Sequence, residues 1–170
     1  GDDRPDAKIV EALRAIDPDT TLRKSIADWT QWIDHVPPAY ALSRVGDKRA
    51  RVLVEGALVL LKTNQSQDGG AIANPTHYRE GYVRDGAASM LALLATGHAD
   101  EAKQWLVWIA KKLSVHHFLG DAMNCSASLD DPNYVLGTGT AVEEPGWVLL
   151  VARDYLKLTH DVAFLKSIDS

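Results

Sequence analysis

Tyr82-Val83-Arg84-Asp85-Gly86-Ala87-Ala88-Ser89-Met90-Leu91-Ala92-Leu93-Leu94-Ala95-Thr96-Gly97 decides the fold class. From about Asp85 onward the run is small and apolar on nearly every face and stops at a glycine suited to the helix C′ position. A helix of that composition belongs inside a protein, buried on every side. The Arg84-Asp85 pair at its start asks for a separate reason. Arg84 carries a planar fork of donors and Asp85 is a pure acceptor when ionised. Together they suit vicinal hydroxyls, which need both. The plainer role is a salt-bridged helix cap, with Asp85 accepting from backbone amides.

Outward from this stretch the chain reads as helix after helix. Ile9, Val10, Leu13 and Ile16 recur at helical spacing within 5–16. Asp17-Pro18-Asp19 ends that segment, and Thr20 or Thr21 is expected to cap the next helix, with Leu22, Ile26, Trp29 and Ile33 on one stripe and Trp32 beside it. Pro37-Pro38 stops it. Residues 47–62 form a third helix with Val52, Leu53, Leu60 and Leu61 among its apolar positions. Asp68-Gly69-Gly70 reads as a hairpin turn beside a short extended piece at 70–73.

After the buried helix, 98–113 is amphipathic. Ala102, Trp105, Leu106 and Ile109 are expected inside, and Glu101, Lys103, Lys111 and Lys112 solvated. Residues 114–140 look irregular, and long irregular stretches in compact domains are often functional. Pro145-Gly146-Trp147 opens a sixth, mostly apolar helix reaching about Leu158, and a seventh begins at Val162. The class is all-α. Outer and inner helices alternate: 47–62 outer, 85–96 inner, 98–113 outer, 146–158 inner. If the inner helices run parallel, the loops bearing Arg84-Asp85 and Glu143-Glu144 open at one end. A plain bundle with charged loops fits the same rhythm.

Composition narrows the classes. Of 170 residues, 46% are hydrophobic and 24% charged, ordinary for a globular chain. The net charge of −5 and the lack of a basic tract argue against a nucleic-acid partner. No apolar run is long enough to span a bilayer, and localisation stays open. With Cys125 as its one cysteine the chain has no intrachain disulfide and no paired-cysteine zinc site. His116-His117 with Asp121 and Asn124 lacks metal-ligand spacing, and Asp130-Asp131-Pro132-Asn133 reads as a solvated turn, not a calcium loop. Cys125 has no basic neighbour in sequence to activate it as a nucleophile. No metal or cofactor is expected. Trp29, Trp32, Trp105 and Trp108 are expected in the core; Trp147 is placed to stack on a ligand.

Five elements in order resemble the glucoamylase-type glycoside hydrolases. They are Trp29-Thr30-Gln31-Trp32, the helix 51–62, Gly69-Gly70-Ala71-Ile72-Ala73-Asn74-Pro75-Thr76, Tyr82-Val83-Arg84-Asp85-Gly86-Ala87, and Leu91 to Ala102 with Gly97 and Glu101-Ala102 at the spacing of that family. The resemblance covers about 29–164. It implies an (α/α)6 toroid of helical hairpins, with 1–40 as leading helices or linker and 41–170 as the first part of the ring, incomplete in this chain.

It implies further that Arg84 and Asp85 grip the non-reducing terminal sugar of an α-linked saccharide. Tyr82 stands where many relatives carry tryptophan and keeps a face for stacking. Glu144-Pro145-Gly146-Trp147 resembles the loop before the second inner helix, which makes Glu143, Glu144 and Trp147 substrate contacts. First-turn charges favoured by the helix dipole are the alternative for the two glutamates. Members of the family invert configuration with a general acid and a general base. Their positions are expected beyond Ser170, so no catalytic residue is assigned here. Two and a half hairpins cannot close a ring of six. The inner-helix faces left bare would exceed the few hundred Å² that monomers usually expose. A second polypeptide or a missing C-terminal portion is therefore expected to complete the toroid. A non-catalytic glucoamylase-like regulatory or scaffold domain and a glycoside phosphorylase are the alternatives.

Overall fold

The computed structural model describes residues 7–74, 80–116, 122–124, 135–136 and 143–168. The described chain is mostly helical: α1 (Ala7–Arg14), α2 (Pro18–Asp34), a 3-10 turn (Leu42–Arg44), α3 (Lys48–Thr63), α4 (Val83–Ala95), α5 (Ala99–His116), α6 (Glu144–Thr159) and α7 (Val162–Ser167). Three short strands, β1 (Glu80–Tyr82), β2 (Ala122–Asn124) and β3 (Val135–Leu136), pair antiparallel in that order. Glu80 faces Asn124, Tyr82 faces Ala122, and Ala122 faces Leu136. The segment expected to be irregular from 114 therefore continues α5 to His116 and then supplies two strands. Strands of two and three residues are too short for alternation to reveal them.

The chain divides into two compact units, Gly1–His35 and Val36–Ser170. In the first, the cap of α2 differs from the sequence reading. Asp17, not Thr20 or Thr21, is the N-cap; its carboxylate accepts from the Asp19 amide at 3.2 Å and from the Thr20 hydroxyl. Pro18 at N1 explains the shift, since it needs no amide partner and presets the helical φ. No residue of α2 is buried. Trp29 and Trp32 pack edge-to-face at 5.7 Å but stay half-buried, against the expectation that both lie in the core.

In the second unit Asp47 caps α3 through the amides of Arg49 and Ala50, at 2.8 and 2.9 Å. α3 buries Leu58 and leaves Val52, Leu53 and Leu60 exposed, Leu53 at 73%. The turn after it closes on an antiparallel bridge between Gln65 and Ala71. Gly69 sits at φ +100°, and a Cβ there would stand 2.5 Å from the Gln104 carbonyl oxygen of α5. The end of α3 and this turn are bonded to α5 at three points. Lys62 pairs with Glu101 at 3.1 Å, Gln65 donates to the Glu101 carbonyl at 2.9 Å, and Trp108 Nε1 donates to Asp68 at 3.2 Å.

α4 starts at Val83, two residues earlier than expected, and buries Val83, Gly86, Ala87, Met90, Leu93 and Leu94. It is not covered all round: Arg84, Asp85, Ala88, Ala92 and Ala95 form an exposed stripe. Alanine is at home on either side of a helix, so an alanine-rich sequence hides where the open face lies. The helix ends in a Schellman motif, with His98 N–H to Leu93 O at 2.9 Å, Gly97 N–H to Leu94 O at 3.0 Å, and Gly97 at φ +88°.

α5 buries Ala102, Trp105, Leu106, Trp108 and Ile109. Glu101 and Lys112 are buried with them, Lys112 at 1% exposure, which corrects the expectation that both are solvated. Glu101 meets Lys62 from α3, and Lys112 lies over the Trp108 ring at 5.7 Å. α6 buries Val151 and Tyr155 but leaves Leu149 70% exposed. Asp161 fastens α7 to the rest. It caps the helix through the Phe164 amide at 3.0 Å, pairs with Lys103 of α5 at 3.0 Å, and accepts from the Tyr155 hydroxyl at 3.1 Å. Tyr155 packs edge-to-face on Phe164 at 5.3 Å, and the Lys103 ammonium lies 4.6 Å from that ring's centre.

These contacts fix helix directions. β1 leads directly into α4 and pairs with β2, which follows α5; the start of α4 is thus beside the end of α5, and the two are antiparallel. Lys103 near the start of α5 reaches Asp161 beyond the end of α6. Leu113 near the end of α5 lines one groove with Val148 and Leu149 near the start of α6. α5 and α6 are antiparallel too, so α4 and α6 run parallel.

Two measurements test this packing. A Cβ at Gly86 would stand 2.7 Å from Trp105 Nε1. Gly86→Ala is expected to cost about 1–2 kcal/mol net in urea unfolding, the strain exceeding the gain in helix propensity. The second concerns pH. The bond from Lys103, and after it the Phe164 amide, holds the Asp161 carboxyl below the ordinary aspartate range, while the bond to Asp161 raises the Lys103 ammonium above its own. A depressed carboxylate stabilises the fold above its unfolded value and loses that contribution as pH falls through the folded one. A raised lysine keeps its contribution until pH climbs through its elevated value. Thermal melts should find Asp161→Asn less stable than wild type at pH 7, with the gap closing below about pH 4.

Candidate functional site

Parallel α4 and α6 present their N-termini at one end of the second unit, and the six residues singled out in sequence lie there. Tyr82 is the N-cap of α4, half-buried, with no side-chain cap bond. Arg84 and Asp85 are the second and third helical residues, and both are exposed. Asp85 therefore sits inside the helix and does not cap it. Neither side chain makes an ion pair or hydrogen bond among the described residues, and the Asp85 carbonyl accepts from Ser89 Oγ at 2.9 Å as an ordinary helix contact. Their phase follows from the buried stripe: once Val83, Gly86 and Ala87 face α5 and α6, residues 84 and 85 must face away.

Glu143 occupies the N-cap position of α6 with its side chain exposed, and its carbonyl accepts the first helical bond, from Trp147 N–H at 3.1 Å. Glu144, the first helical residue, is 4% exposed. Trp147 is half-buried one turn along. Glu144 and Glu143 thus part company: one is held inside the fold, the other stands in solvent. An anionic side chain at a helix start lies in the favourable field of unpaired amides, and Glu144 and Asp85 both have that position.

One charged group near this end escaped the sequence reading. Lys112 lies a turn from the end of α5, with its ammonium over the Trp108 ring. Its signal was the stripe Glu101, Trp105, Trp108, Lys112, which follows the 4-3-4 spacing of a buried face even though both ends are charged. A stripe with charged ends reads naturally as an exposed edge.

The arrangement offers a fork of donors and a carboxylate side by side on an open helix face. A buried carboxylate and a half-buried indole stand at the neighbouring helix start. Such a surface can hydrogen-bond adjacent hydroxyls and stack on a ring face. Among the described residues no group of three or more His, Cys, Asp or Glu side chains is arranged to hold a metal ion. His117 and Asp121, the Asp130-Asp131 turn and Cys125 lie outside the described residues. No described helix is long and apolar enough to cross a membrane. Compared with protein-family models, with curated proteins and with solved structures, the chain matches none.

Proposed function

We propose that this chain supplies sugar-binding residues to an inverting glycoside hydrolase of the glucoamylase type, acting at the non-reducing end of α-glucans or α-glucosides. The observation that carries the reading is the shared end of two parallel helices. One of them bears Arg84 and Asp85, exposed and without ion pairs among the described residues. The sequence resemblance supplies the sugar. In this reading α3 to α7 form an arc of an (α/α)6 ring with α4 and α6 as inner helices. The bare stripe Ala88, Ala92, Ala95, the exposed Leu149, and Val52, Leu53 and Leu60 of α3 are where further helices of the ring pack.

Arg84 donates to two neighbouring hydroxyls and Asp85 accepts from them, which orients the terminal ring. Tyr82 and Trp147 offer faces for its apolar side, and Glu143 or Glu144 accepts from a further hydroxyl. The general acid and the general base come from polypeptide outside this chain. In an inverting enzyme their carboxyls stand roughly 6.5–9.5 Å apart, with room for the attacking water. A non-catalytic, sugar-binding scaffold of the same shape is the second reading. In that reading the polypeptide that completes the ring brings no pair of pocket-facing glutamates.

The test uses the assembled ring and a maltooligosaccharide substrate. Asp85→Ala is expected to lower kcat/KM by roughly 10²-fold, the worth of a charged hydrogen bond or two, with an unchanged circular dichroism spectrum. Wild-type turnover in that variant would take Asp85 out of the site. A ring that binds the sugar without hydrolysing it favours the scaffold.

Trp147 gives an independent readout. Indole fluorescence should change as the sugar is titrated, Trp147→Phe should keep most of the affinity through its remaining ring, and Trp147→Ala should lose about tenfold. Equal affinity in all three proteins means that no sugar stacks there.

A further inference from the structure

We draw no further inference here: the strongest candidate, the apolar groove of about 640 Å³ between α5, α6 and α7 lined by Leu113, Leu149 and Val162, carries nothing because no feature of the structure shows what covers it.

Discussion

The approach of α4 to α5 at Gly86 is the constraint on which the rest of the second unit depends. Trp105 occupies the space that any larger residue at 86 would need. A glycine inside a helix costs about 1 kcal/mol relative to alanine, and here the return is an indole seated against backbone. That seat fixes the rotation of α4. With Gly86 turned to Trp105, Val83, Ala87, Met90, Leu93 and Leu94 fall on the buried side. The other side then has to carry Arg84, Asp85 and the three alanines below them. A shift of a single position along α4 would push the guanidinium or the carboxylate into the core, where an unpaired charge is heavily penalised. Packing at one glycine thus determines where two polar side chains point.

Much of this was legible in the sequence. Apolar spacing located the α-helices of the described residues, and Gly97 and Pro37-Pro38 marked ends by local chemistry that needs no partner. Buried positions of α5 such as Trp105 and Ile109 followed from the same periodicity. What stayed hidden depends on other elements. Glu101 is buried because Lys62 of α3 lies across from it, a neighbour that the spacing along α5 does not show. Lys112 is buried whole, its ammonium 5.7 Å from the centre of the Trp108 ring, a setting that only the packed helices create. Trp29 and Trp32 keep helical spacing and pack on each other yet stay half-buried, because spacing describes a face and not what lies opposite. Of the candidate site, the placement of both charged pairs at helix starts could be anticipated. The contrast between exposed Glu143 and buried Glu144 could not, since it turns on the last residue before α6 begins.

The polar contacts divide by burial into two kinds. Lys24 with Asp28 on α2 is a solvent-exposed pair, of a kind generally worth under about 1 kcal/mol. Lys62 with Glu101 is different: the glutamate is nearly out of reach of water, so removal of the lysine would leave a desolvated charge. Asp161 is intermediate. It stays partly exposed, but one carboxylate serves a helix cap, an ammonium and a phenol on three successive helices. Such shared acceptors tie elements together through geometry more than through the strength of any single bond.

The pairing of β1 with β2 has a bearing on how the chain comes apart. These strands bracket the α4–α5 hairpin, joining its open ends as the Schellman turn at Gly97 joins its closed one. α4 inside that bracket is also packed against α6 beyond it, so its amides are covered from two sides. α2, with no buried residue, shields its backbone amides far less. Among the described helices, deuterium should therefore enter the amides of α2 well before those of α4.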